Sequence, residues 1–298
     1  PQGSPEWHQA RRNGLGGSEV APMLGLSPYE SRFTLWHRKA GVVAPAETTA
    51  AMEWGTRLER AVCDKFLDEH PDFVNLDIDD SGTYHHPDRP WQIANPDMVL
   101  HTNDGDLYGP TAIFEAKTAR YDDEWGEPGT DQIPVHYRCQ VLWYLDVFGL
   151  DTAHVAVLFG GNDYREYVVH YDADDAALMV RKAREFLDTI EAGTPPDIDG
   201  STSTWETVRE LHPDIDGTTL AVPDDLAIPY INATNALKAA ENNALEAKAQ
   251  LVTHMGTAKK AEWNGSPIAT RQARDGGRPF LVAARKLPAT NPTQETPE

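Results

Sequence analysis

Little in this sequence could form a covalent framework or cross a membrane. Only two of the 298 residues are cysteines, Cys63 and Cys139. One bridge at most excludes a disulfide scaffold, and an intracellular, cytoplasmic chain is expected. No apolar run approaches the roughly 18 residues that a spanning helix needs, and no signal-peptide pattern is read, so no membrane role is expected. Residues 1–4 are set aside as a processed end. Basic residues are scarce: 26 Lys or Arg stand against 47 Asp or Glu, a formal charge of −21. That argues against a protein that coats nucleic acid, since Lys and Arg drive phosphate binding. The deficit is uneven, however. Residues 61–130 carry four basic and 16 acidic groups, whereas 251–298 carry seven and four. Such an acidic body admits DNA locally if divalent cations occupy it, and a merely soluble, salt-adapted surface gives the same counts.

Apolar periodicity supplies the rest of the outline. Short helices broken at Gly25-Leu26-Ser27-Pro28-Tyr29 are expected over 15–40, with longer helices at 49–70, 132–148 and 174–192. In the first long helix Met52, Leu58, Val62 and Phe66 form the apolar stripe; in the second it is Val135, Cys139, Leu142, Leu145 and Val147. Strands are expected at 72–78, 83–86, 91–100, 111–119, 153–159 and 164–171. This order describes an α/β domain over 5–195. A linker at 196–224 holds one short helix around Trp205. An appendage at 225–286 follows, made of a helix at 226–255 and a β-hairpin turning at Asn264-Gly265, and then a disordered tail at 287–298.

The informative local pattern is Ile113-Phe114-Glu115-Ala116-Lys117-Thr118. Residues two apart on a strand share a face, so Glu115 and Lys117 point together while Phe114 and Ala116 face the core. Asp97 sits at the Pro-bent Asn95-Pro96-Asp97 within the strand at 91–100. If the two strands pair, Asp97 and Glu115 converge on one hard cation with Lys117 beside it. Spacing alone favours a solvated ion pair over a metal site, and Glu246-Ala247-Lys248 repeats the spelling on a helix, where residues two apart diverge. Two other patterns read as bland. The adjacent His85 and His86 point to opposite faces of a strand, and Asp77-x-Asp79-x-Ser81-Gly82 lacks the glutamate that completes a calcium loop. Trp7, Trp36 and Trp54 are read as packing aromatics.

The wider pattern carries a resemblance. Trp7-His8-Gln9-Ala10-Arg11-Arg12-Asn13-Gly14-Leu15-Gly16-Gly17-Ser18-Glu19-Val20, with Gly25-Leu26-Ser27-Pro28-Tyr29 and Leu35-Trp36, resembles the opening of the YqaJ-type phage recombination nucleases. These are relatives of phage lambda exonuclease within the PD-(D/E)XK superfamily. Later blocks resemble it in order: Met52-Glu53-Trp54-Gly55-Thr56-Arg57-Leu58-Glu59, Ala94-Asn95-Pro96-Asp97, Phe114-Glu115-Ala116-Lys117-Thr118, and Tyr137-Arg138-Cys139-Gln140-Val141-Leu142-Trp143-Tyr144-Leu145. The resemblance covers residues 7–148 and implies a restriction-endonuclease-like core, a mixed central sheet flanked by helices.

It also implies roles. Asp97, Glu115, the Ala116 backbone carbonyl and Glu59 match metal ligands, with Mg²⁺ as the cofactor and Mn²⁺ as a substitute. Lys117 matches the catalytic lysine and Gln140 a glutamine at the edge of the site. Arg11 or Arg12, with Ser18, match a pocket for a terminal 5′-phosphate. The implied activity is digestion of double-stranded DNA ends from 5′ to 3′, leaving 3′ single-stranded tails for recombination. A ring-like homo-oligomer and a single-strand annealing partner are implied with it. A structure-specific endonuclease or nickase on the same fold, and a non-catalytic DNA-end binding module, are the rival readings. Met98 stands where many relatives have glycine, and 18 positions separate Asp97 from Glu115.

Overall fold

The computed structural model describes residues 14–45, 48–76, 82–102, 109–274 and 276–290. In chain order the elements are β1 (Leu15–Gly16), α1 (Gly17–Leu24), α2 (Arg32–Lys39), α3 (Ala50–Glu69), β2 (Phe73–Asn75), β3 (Tyr84–His86), β4 (Arg89–Ala94), β5 (Met98–Thr102) and β6 (Ala112–Ala119). Then come α4 (Val135–Phe148), β7 (Thr152–Phe159), β8 (Asp163–His170), α5 (Ala173–Glu191), α6 (Thr202–Leu211), α7 (Asp224–Met255), β9 (Lys260–Trp263), β10 (Ser266–Gln272) and β11 (Phe280–Ala283). They divide into two compact units, Pro1–Asp214 and Ile215–Glu298.

The first unit is built on a five-stranded mixed sheet in the order β2-β5-β6-β7-β8, in which β6 and β7 run parallel and the other neighbours antiparallel. A smaller sheet orders β1-β4-β3. Helices cover both faces, so the strands of the large sheet are apolar on both sides. On one face α3 lays Val62, Cys63 and Phe66 against Met98, Leu100, Ala112, Phe114 and Ala156. On the other, α4 and α1 pack over Ile113, Val155 and Val157, with Trp143 fully buried and its indole N–H donating to the Ile93 carbonyl at 3.1 Å. Thr49 starts α3 by accepting the Met52 N–H on its side chain. Asp172 caps α5 in the same way.

Three expectations change. The strand expected over 91–100 is two strands in different sheets, because Pro96 offers no N–H and Asn95 turns its amide to the Gly82 carbonyl and Thr83 hydroxyl. Asp97 therefore lies just before β5 rather than inside a strand. The apolar stripe of α3 begins only at its middle: Met52 is 54 % exposed and Trp54 is 62 % exposed, so Trp54 is not the packing aromatic expected. Val135, on the first turn of α4, is also exposed. Trp36 is buried as expected, whereas Trp7 and residues 77–81 of the calcium-like loop lie outside the described residues. His85 and His86 each bond locally, to the Pro90 carbonyl and the Asp88 N–H.

Within the stretch expected as a linker, α6 is joined to α2 by hydroxyl contacts, Thr204 to Ser31 at 2.7 Å and Thr34 to Thr207 at 2.8 Å. In the second unit, α7 runs 32 residues and its last turns pack Leu251 and Met255 on Ala261 and Ala269 of a three-stranded sheet ordered β11-β10-β9. Asn264 and Gly265 both hold positive φ, 50° and 77°, the pairing that a tight hairpin turn needs.

Candidate active site

The antiparallel register sets Met98 opposite Phe114, which brings Asp97 beside the middle of β6. There Asp97 Oδ2 accepts the Ala116 backbone N–H at 2.7 Å. The Asp97 carboxyl is pushed well above the usual range, first by burial and then by the Glu115 charge; Glu59 adds to this, while Lys117 and the Ala116 N–H oppose it. Two carboxylates crowded in this way are more costly as a charged pair than apart.

Glu115 is 3 % exposed on the face of β6 that α4 covers. Its Oε1 accepts from Lys117 Nζ at 2.6 Å and from Gln140 Nε2 at 2.6 Å. Gln140 Oε1 in turn accepts from Lys117 Nζ at 3.1 Å, and its amide also donates to the Tyr144 hydroxyl at 3.1 Å. The Lys117 ammonium lies 4.8 Å from the centre of the Tyr137 ring, a cation–π contact. Glu115 Oε2 is buried with no hydrogen-bond partner among the described residues. A buried carboxylate oxygen left bare is costly, and a hard cation shared with Asp97 would satisfy it.

Glu59 comes from the opposite face of the sheet. It lies one turn after Gly55, whose missing Cβ would sit 3.6 Å from Thr118 Oγ1, on the side of β6 that α3 covers. Its charge reaches Asp97 and, with Asp97 and Glu115, contributes to raising the Cys63 thiol, which burial lifts most. No group of three His, Cys, Asp or Glu is gathered for a metal among the described residues. Asp97 and Glu115 are the two carboxylates brought close enough to interact strongly.

Of the expected phosphate pocket, Arg11 and Arg12 lie outside the described residues, and Ser18 is exposed on the first turn of α1. The turn into that helix is held by a buried ion cluster the sequence did not flag. Gly16 N–H donates to Glu19 Oε2 at 2.9 Å, and Glu19 takes Lys39 at 2.7 Å and Arg38 at 3.1 Å. Lys39 also donates to the Gly14 carbonyl at 2.6 Å. Two glycines are required by close approach. A Cβ on Gly14 would stand 2.5 Å from the Trp91 carbonyl, and one on Gly17 would stand 2.4 Å from the Tyr144 ring. Tyr144 thus joins this turn to Gln140. Its spacing of four from Gln140 on one helix was the available signal; Lys39 had none.

Residues 6–151 match the YqaJ-like viral recombinase domain. The Bacillus subtilis (strain 168) protein YqaJ is 32 % identical over 214 residues, covering 70 % of this chain and 63 % of that protein. The chain thus spans just under two thirds of that relative's length. An African swine fever virus protein is 42 % identical over 59 residues, which is 20 % of this chain and 17 % of that protein. The alkaline exonuclease LHK-Exo of Laribacter hongkongensis superposes with a TM-score of 0.51 at 20 % identity, covering 64 % of this chain and 94 % of that one. That likeness shows the fold, a PD-(D/E)XK-type core.

Proposed function

Residues 6–151 match the YqaJ-like viral recombinase domain, and on that likeness we propose that the chain is a Mg²⁺-dependent deoxyribonuclease acting on double-stranded DNA ends. The observation that carries this reading is Glu115: one oxygen is fixed by Lys117 and Gln140, and the other is buried and bare beside Asp97. Asp97, Glu115 and the Ala116 carbonyl would hold Mg²⁺, or Mn²⁺ in its place, with Glu59 acting from across the sheet. When bound, such a cation supplies Lewis-acid activation of water and neutralises charge on the phosphate.

The remaining work falls to the protein's own side chains. Gln140 holds Glu115 and Lys117 in one orientation, so the bare oxygen and the ammonium keep their places. Lys117 is held between Glu115 and the Tyr137 ring, where it can orient a water and offset the charge developing on the phosphate. Arg11, Arg12 and Ser18 would select a terminal 5′-phosphate, since an arginine fork and helix-start N–H groups suit that anion. Digestion would run 5′ to 3′ and leave 3′ single strands for recombination. A ring-like homo-oligomer, a single-strand annealing partner and a cytoplasmic setting belong to the same proposal.

The test is incubation of linear duplex, labelled at either 5′ or 3′ ends, beside covalently closed circular DNA, with Mg²⁺ or with EDTA. Release of 5′ label from linear DNA in Mg²⁺ alone, with the circle intact, is expected. Cutting of the closed circle would instead identify an endonuclease, and binding without cutting in any condition would identify an end-binding module.

A further inference from the structure

We infer that Tyr29 is a stacking platform for a nucleobase of the DNA end, set beside the Lys117 centre; this rests on the function proposed above. Tyr29 is 72 % exposed in the loop between α1 and α2, yet it is held as firmly as a core residue. Ser27 Oγ accepts the backbone N–H groups of Tyr29 at 3.1 Å and of Glu30 at 3.2 Å. Glu30 is then clamped by both arms of Arg38, at 2.9 Å each.

The side chain is fixed as well. The Tyr29 ring meets His136 edge-on with centroids 5.5 Å apart, and the His136 ring leans on Tyr137 at 4.1 Å. Burial pushes the Tyr137 phenol up, and Tyr29 adds to this. The Tyr137 ring is the one that carries the Lys117 ammonium at 4.8 Å. A short rail of contacts therefore runs from the catalytic ammonium through Tyr137 to a ring facing solvent. Beside it, His136 Nε2 is buried with no hydrogen-bond partner among the described residues, a polar atom that an arriving base edge could engage.

A protruding aromatic ring ordinarily loses rotamer freedom when it binds. Here that freedom is already lost, which is the preorganisation that favours ligand contact. The ligand class follows from the surroundings. A scissile phosphate at Lys117 brings its own base within reach of a neighbouring ring, and every base has a π-face that an aromatic side chain can stack on. The contact is sequence-tolerant, as an enzyme that digests any end requires.

The experiment measures binding rather than cutting, with the full chain in Ca²⁺, whose looser coordination supports little cleavage, and fluorescently labelled duplex carrying a 5′-phosphate. The duplex is either intact or has an abasic analogue at the first or second nucleotide from the 5′ end. Wild type is expected to lose roughly tenfold in affinity for one of the abasic duplexes, the size of one base–aromatic stack. Tyr29→Ala should show that same loss on intact DNA and no further loss on the abasic duplex. Tyr29→Phe and Tyr29→Trp should stay near wild type, because the ring and not the hydroxyl makes the stack. Three results overturn the inference: Tyr29→Ala binding intact DNA like wild type, the two losses multiplying as if independent, or Tyr29→Phe failing as badly as Tyr29→Ala. Wild type that binds no DNA end overturns the proposed function along with it, whereas the three results above leave that function standing.

Discussion

Asp97 and Glu115 sit at odds with their own folding. Burial and mutual repulsion hold the Asp97 carboxyl well above its ordinary range, so at neutral pH its ionised form costs folding free energy. The sign is that of a raised carboxylate: the penalty is absent below its ordinary pKa and grows as pH rises past it. Asp97→Asn removes the charge and keeps an oxygen for the Ala116 N–H, so the metal-free variant should melt higher than wild type. Mg²⁺ should raise the melting temperature of wild type but not of this variant; calorimetry of both with and without Mg²⁺ checks the pair of signs. Lys117→Ala should cut the cleavage rate by roughly a hundredfold, in the range seen for preorganised electrostatic groups. Lys248→Ala, in the helical copy of the same tripeptide, should leave the rate unchanged. Strand context separated those two lysines from sequence alone. Lys39 was not legible, because its partner Gly14 is a contact of tertiary approach with no local spelling, and Tyr144 carried only its spacing of four from Gln140.

At the scale of elements, periodicity located helices and strands well, since most bury one regular face. It failed at the helix starts. Met52 and Trp54, in the first turns of α3, are exposed, and the buried apolar stripe begins only at Val62, although Gly55 already comes close to Thr118 of β6. The seam itself rests on Phe66, fully buried, with its ring 4.5 Å from that of Phe114. Phe66→Ala should cost about 3–5 kcal/mol in denaturant unfolding, the range for emptying a buried aromatic site. Arg57→Ala, an exposed i,i+4 partner of Glu53, should cost well under about 1 kcal/mol in the same titration. The split of 91–100 into β4 and β5 follows the same lesson. Pro96 marked a bend, but which sheet each half joins depends on partners that lie elsewhere in the chain.

For the whole molecule, a charge of −21 coexists with a proposed DNA substrate because the site gathers acidic groups where a cation is expected, not where phosphates lie bare. The Pro- and Asp-rich stretch after residue 195 reads as a linker, yet its helix α6 lies in the first unit, which runs to Asp214. Its attachment to α2 was not legible, since hydroxyl-to-hydroxyl contacts such as Thr34 with Thr207 leave no trace in apolar periodicity. The measurement that bears most directly on the central claim is single-turnover cleavage of end-labelled linear duplex by wild type and Glu115→Gln across a Mg²⁺ titration. Gln keeps the size of Glu115 and can still accept from Lys117, but it replaces the bare carboxylate oxygen with an amide. Wild type should cleave in a Mg²⁺-dependent manner and Glu115→Gln should lose roughly a hundredfold or more at every concentration; cleavage by Glu115→Gln at the wild-type rate, or by wild type in EDTA, would contradict it.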